Sequence, residues 1–330
     1  MDEMERVTGS DAPYDLARLD RLEAERVVGA IVDSKAVSTR RAYAAKWHEW
    51  VRWCADHDRI VMPAEPSTVA AWFTELADAG RSVSTINIAA AALRARHEMI
   101  GYPDPTAAAV VRRTRAGLTR RLGIAPRHQA HPLSVIELRR MVETCRADGV
   151  RGARDRALLL VGYAAALRRS EIAALRVEHL TRLDGGVVVH LPRSKSDQEG
   201  RGVDIGVARG EHTDTCPVTA LAAWTDLLGE TSGPLFPRIN RYNTLPLTPR
   251  PITGATVDQI IKRRADAAGL SDLAISGHSL RAGHATTAAE HGVDASRIAR
   301  TTRHARLETL ARYVRPAEVL ADTTSRDLGL

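Results

Sequence analysis

The sequence predicts a mainly α protein with one small β-hairpin, divided into an N-terminal helical domain and a larger α+β domain. Three observations lead there. Apolar residues recur at helical spacing between Ser38 and Leu118, a single strand-like pattern lies between Gly186 and Val207, and a break with two prolines separates these regions at residues 123–132. At 330 residues the chain is long enough for two cores. Aromatics make up 4% and apolar residues 44%, so Ala, Leu, Val and Ile must fill most of both.

The elements can be justified in order. Residues 1–33 form a polar, acidic leader, expected to be partly disordered, with some helix around Leu16–Val28. From Ser38, Tyr43, Trp47, Trp50, Val51 and Cys54 make one apolar stripe of a first helix. Pro66-Ser67-Thr68 opens a second, carrying Val69, Trp72, Phe73 and Leu76. Ile86, Ala89, Ala90, Leu93 and Ile100 mark a third, with Ser84 as its expected cap, and a fourth follows Pro105 through Val110, Val111 and Leu118. Residues 34–125 are thus one helical domain, and its aromatic stripes are core rather than a cofactor site. Residues 126–132 read as a linker, and 133–330 as the second domain with its C-terminal tail. That domain has helices expected near 134–147 and 152–165, then strands at 186–191 and 202–207, then helices at 217–229, 254–268, 279–291 and 294–302.

Composition narrows the function classes. No apolar run reaches the roughly 18 residues that span a bilayer, and the N-terminus lacks the basic-then-apolar layout of a secretion signal. Cys54, Cys145 and Cys216 form no paired motif and fit reduced core residues. A soluble, cytoplasmic protein without a membrane partner is expected. Net charge is +7, and it is uneven: residues 1–33 hold nine acids and four arginines. Between Thr106 and His128 lie Arg112, Arg113, Arg115, Arg120, Arg121 and Arg127 with no acid at all. That run suits contact with a phosphate backbone, the alternative being a solvated helix face followed by a basic linker.

The residues that could do chemistry cluster late. The pattern HxxR occurs at His179/Arg182, His190/Arg193 and His278/Arg281, so by itself it says little. Only the last is followed by a second histidine, His304, 23 residues beyond Arg281, and by Tyr313, 9 residues further. Two basic groups, a second histidine and a late tyrosine suit attack of a phenol on a phosphodiester. Upstream, Ala164-Ala-Ala-Leu-Arg168-Arg-Ser-Glu171-Ile-Ala-Ala-Leu175 gives an apolar helix end, an arginine and an amphipathic helix. The hairpin tip, Arg193 to Arg201, carries Lys195.

This ordered set resembles the tyrosine recombinase (phage integrase) family. The string Ala164 to Leu175 matches its G-L-R-x-x-E-L box, Lys195 its mobile hairpin lysine, and His278-Ser-Leu-Arg281 its second box. His304 and Tyr313 fall where the family has its second histidine and nucleophile. The layout matches across 38–315 and is specific across about 133–315. The chain departs from the pattern at Arg303, where the family usually has glycine before the histidine, and at Ala282, commonly a histidine. Neither removes a catalytic side chain.

The resemblance implies a SAM-like helical core-binding domain and a catalytic domain, closing on duplex DNA like a C in a simple Cre- or Xer-like plan. It implies a dimer on each site and a homotetramer on two synapsed sites, with strands exchanged through a Holliday junction and accessory proteins as further partners. Tyr313 would attack phosphorus to give a 3′-phosphotyrosyl bond and a free 5′-hydroxyl. Arg168 and Arg281 would neutralise the phosphate as charge grows in the transition state. Lys195 would protonate the leaving oxygen, His278 would take the phenolic proton, and His304 would hydrogen-bond a non-bridging oxygen. Glu171 would orient residues near the second box, its alternative being a plain helix-surface role. The tail after Tyr313 would dock on a neighbouring protomer or pack on its own domain. No metal or other cofactor is expected, and no carboxylate cluster suited to two metals is present. The rivals are a type IB topoisomerase-like strand transferase and a DNA-binding protein that keeps the fold without catalysis.

Overall fold

The structure, a computed structural model, describes residues 34–124, 129–192 and 202–303, together with Glu23, Arg26 and Ala30. The chain divides into two units, Met1–Arg127 and His128–Leu330.

In the first unit the helices between Val37 and Leu122 wrap an aromatic core. Helix α1 (Val37–Asp56) buries Trp50 and Cys54, and α2 (Pro66–Asp78), started by a proline at its first turn, buries Val69, Trp72, Phe73 and Leu76. The Trp50 and Trp72 rings meet at 5.1 Å between centroids, and the Trp50 indole N–H donates to the Val61 carbonyl at 3.1 Å. Helix α3 (Val83–Ile100) is capped by Ser82, whose hydroxyl accepts from the Thr85 N–H at 3.2 Å. The expected cap, Ser84, already has helical backbone and cannot serve, because a cap residue lies outside the helical turn. After a 3₁₀ turn at Pro105–Ala107 comes α4 (Ala109–Leu122), which buries Val111 and Leu118 but leaves Val110 exposed. His97 is fully buried: its Nε2 accepts from the Ala64 N–H at 2.9 Å and its Nδ1 pairs with the Leu93 carbonyl at 2.8 Å. Desolvation holds that imidazole below its ordinary pKa, so it stays neutral in the core.

The second unit opens with α5 (Val135–Glu143), whose Ser134 and Glu137 exchange hydrogen bonds as a capping box. Helix α6 (Gly149–Ala164) buries Ala157 to Gly162 in the core, with a charged first half, and is followed by the short α7 (Arg169–Ala174). The sheet is antiparallel and three-stranded, β1 (Leu180–Leu183), β2 (Gly186–Leu191) and β3 (Val203–Ala208), in that spatial order. Sequence patterning predicts only β2 and β3. Strand β1 has just four residues, three of them exposed, so it carries no alternation to detect. Helices α8 (Pro217–Leu228), α9 (Gly254–Ala267), α10 (Ser279–Glu290) and α11 (Ala295–Thr302) follow among the described residues. Helix α6 packs on α8 and α10, α7 on α9, and α11 on α10.

Gly283 sets how closely α10 can approach the start of the unit. A Cβ there would lie 2.1 Å from the Leu133 carbonyl oxygen, so only glycine allows this contact. The His131 N–H donates to the Ala274 carbonyl and the Leu133 N–H to the Ser279 carbonyl, tying the end of the expected linker to the α10 start.

Within α6, the fully buried Asp155 accepts from Arg154 (2.7 Å), Arg263 (2.7 Å) and Arg264 (2.9 Å), and Arg264 continues to Asp148 at 2.6 Å. Removing the carboxylate strands buried guanidiniums, so Asp155→Ala should destabilise the chain by about 3–5 kcal/mol. Arg263, half exposed, should cost only about 0–1 kcal/mol when truncated to alanine. Urea melts of the full chain followed by circular dichroism check both. Equal losses from the two substitutions would show that Asp155 does not anchor the network.

Candidate active site

Two helix ends meet in the second unit, and both carry a non-glycine residue in the left-handed region. The first is the C-terminus of α6. There the Ala166 N–H donates to the Tyr163 carbonyl and the Leu167 N–H to the Gly162 carbonyl, with Ala166 at φ 47°. This is a Schellman closure, usually built on glycine. The second is the C-terminus of α11, where Arg303 sits at φ 54° and ψ 45°. Each such residue costs about 1–2 kcal/mol relative to right-handed backbone. Packing and hydrogen bonds around them must offset that strain.

They do so through a buried ion cluster. Glu171, 6% exposed, lies three residues beyond Arg168 at the start of α7. Its Oε2 accepts from the Arg168 backbone N–H at 2.8 Å, and its Oε1 from the Arg168 guanidinium at 2.6 Å. The same carboxylate accepts from the Arg303 guanidinium at 2.8 Å. Arg303 also donates to the carbonyls of Ala165 (3.3 Å), Ala166 (2.9 Å) and Thr301 (2.7 Å). Its own carbonyl accepts from the Arg168 guanidinium at 3.4 Å. Burial pushes the Arg303 pKa down, Glu171 offsets that, and the neighbouring Arg168 adds to the depression.

Arg281 approaches from the first turn of α10. It is 2% exposed and donates to the Ala166 carbonyl at 2.9 Å, so this one oxygen accepts from two guanidiniums. His278, the residue just before α10, keeps an exposed surface although protein atoms crowd its ring. That desolvation, followed by the charges of Arg281 and Arg168, holds its imidazole below the ordinary value. At neutral pH it is an uncharged base beside two fixed cations.

The structure therefore brings together Arg168, Glu171, His278 and Arg281. It adds Arg303, to which sequence reasoning gave no role. Glu171 is buried rather than on a helix surface, and its hydrogen bonds run to Arg168 and Arg303. Ala282 is fully buried in the core. Lys195, His304 and Tyr313 lie outside the described residues; the last paired positions below Lys195 are Leu191 and Val203. Of the five N–H donors on the Arg168 guanidinium, the described residues engage Nη1 and Nη2 once each, and 20% of that side chain is exposed.

The basic run of the first unit lies on α4. Arg112, Arg113 and Arg120 are exposed. Arg115 donates to Asn87 at 2.7 Å and Arg121 to Asp78 at 2.8 Å, so these two are anchored within their own unit. Arg127 lies outside the described residues.

Comparisons with known proteins follow the same lines. The profile of the phage integrase family matches residues 133–319. The integrase/recombinase xerD homolog of Selenomonas ruminantium is 32% identical over 292 residues, covering 88% of this chain and 84% of that protein. The recombinase cre of Escherichia phage P1 is 28% identical over 288 residues, covering 81% and 80%. A lambda integrase tetramer bound to a Holliday junction superposes with a TM-score of 0.58 at 16% identity, covering 94% of this chain and 79% of that one. Fold, paired guanidiniums and relatives agree: the chain belongs to the phage integrase family and is a tyrosine recombinase of the Cre and Xer type.

Proposed function

We propose that this chain is a site-specific DNA recombinase that cuts and rejoins strands through Tyr313. The observation that carries this reading is electrostatic. Among the described residues, the cluster sets the guanidiniums of Arg168, Arg281 and Arg303 around the carboxylate of Glu171, beside a neutral His278. Guanidiniums gathered in this way suit the charge of a phosphodiester.

The chemistry follows from the groups. The Tyr313 oxygen attacks phosphorus, a P–O bond to the phenol forms, and the bond to the 5′-oxygen breaks. His278 accepts the phenolic proton, and Lys195 gives one to the leaving 5′-oxygen. Arg168 and Arg281 hold the non-bridging oxygens as charge builds, and His304 donates to one of them. Phenol is a fair nucleophile and a fair leaving group, so the reverse attack reseals a strand without ATP. No metal or cofactor takes part. The domains we propose are a core-binding domain at 34–125, a linker at 126–132 and a catalytic domain at 133–330. Arg112, Arg113 and Arg120 contact phosphates, with Arg115, Arg121 and Arg127 beside them. Two protomers bind one site and four synapse two sites, an assembly supported by the likeness to the lambda integrase tetramer on a Holliday junction. The setting is the cytoplasm. Three buried, unpaired cysteines fit a reducing compartment, and among the described residues no helix is long and apolar enough to cross a membrane.

The test uses duplexes from the gene's own genomic flanks, without magnesium. The full chain should give an SDS-resistant protein–DNA adduct that vanishes in Tyr313→Phe while binding persists. Arg168→Ala should slow adduct formation on the order of 100- to 1000-fold. Binding without any adduct, even on nicked suicide duplexes, would leave only a DNA-binding protein. Relaxation of supercoils without recombinant products would make it a topoisomerase.

Two further outcomes follow from the geometry. With His278 as base, the rate rises with pH through its pKa, and the depressed pKa puts that limb below the ordinary 6.5. An acid limb at or above that value would remove His278 from this role. Replacing Arg112, Arg113 and Arg120 with glutamine should flatten the log–log salt dependence of DNA binding by about 0.9 per lost contact. An unchanged slope would place the phosphates elsewhere.

A further inference from the structure

We propose that Arg303 is a positioning residue for strand cleavage: its guanidinium locks the two phosphate-binding arginines into one spacing. This rests on the recombinase reading above.

Arg303 links the two phosphate-binding arginines through shared acceptors. Through Glu171 it shares a carboxylate with Arg168, at 2.8 Å on its own side and 2.6 Å on the other. Through the Ala166 carbonyl it shares an acceptor with Arg281, both donors lying at 2.9 Å. Through its own carbonyl it accepts from Arg168. One guanidinium thus links the α6 end, the α7 start and the α11 end, and the α10 start meets it at the shared oxygen.

The alternative is a plain helix cap. A cap would explain the backbone, but glycine provides left-handed backbone without strain. It would not explain a side chain 5% exposed whose guanidinium reaches three carbonyls and a carboxylate. Lysine could supply the charge but has no planar fork to satisfy carbonyls and carboxylate together. The fork makes the arrangement rigid, and rigidity matters because small displacements of reacting groups are costly in rate.

The experiment compares full-length wild type, Arg303→Gly and Arg303→Lys on a nicked duplex carrying the target site. Binding is read by fluorescence anisotropy, and cleavage as the single-turnover rate of adduct formation at saturating DNA. Arg303→Gly should keep its affinity within about 3-fold while cleavage falls about 10- to 100-fold. Arg303→Lys should slow cleavage by about 10-fold or more, and it carries the test alone if the glycine variant does not fold. Because Arg303 acts through Glu171, the double variant Glu171→Gln/Arg303→Gly should be at most about 3-fold slower than the worse single one. A folded variant cleaving at the wild-type rate, a loss confined to affinity, or a fully multiplicative double variant each overturns the proposal. Those outcomes leave the recombinase reading intact so long as wild type forms the adduct. A wild type that never forms it sinks that reading and this one together.

Discussion

A buried carboxylate in contact with two guanidiniums organises the second unit around its reactive face. Glu171 is almost sealed from water, where an unpaired charge is costly. Arg168 and Arg303 pair with it, and each is in turn tied to backbone. Such a pair contributes little net stability, since desolvation of both partners cancels most of the attraction. What it contributes is geometry. The acceptors around Arg303 come from separate helix ends, so they can satisfy it together only in one mutual placement.

That placement also explains why the cluster sits where it does. Helix ends leave carbonyls without helical partners, and the α6 end offers Ala165 and Ala166 just ahead of Arg168. Guanidiniums are the natural donors for them. The Gly283 contact with Leu133 lets α10 come close enough for Arg281 to reach the same carbonyl. The site is thus built from closure of secondary structure rather than from a pre-cut pocket.

Much of this could be read in the sequence, and the reasons for the rest are physical. Helices with wide apolar stripes, such as α1 and α2, declared themselves because burial imposes a period on the chain. Strand β1 did not, since it is an exposed edge. The α3 cap was displaced by two residues because serines on both sides of the helix start have the same propensity, and only backbone geometry separates them. Arg168, His278 and Arg281 were recognisable as a motif. Arg303 was visible only as a departure from the family's glycine. Its role depends on two left-handed turns, over 130 residues apart, meeting in space. Likewise, no side-chain pattern could reveal that Ala166 lends its carbonyl to two arginines.

The main-chain oxygen of Ala166 has an evolutionary corollary. Side-chain substitution cannot delete a peptide acceptor; it can only make the left-handed conformation at that position easier or harder. Drift at residue 166, which is fully buried, is therefore filtered by conformation and by space, and glycine is the replacement that meets both demands. The exposed arginines of α4 have no such constraint from backbone, and their side chains can change while this anchor persists unaltered. Side-chain chemistry on one unit and a main-chain acceptor in the other thus drift under different rules.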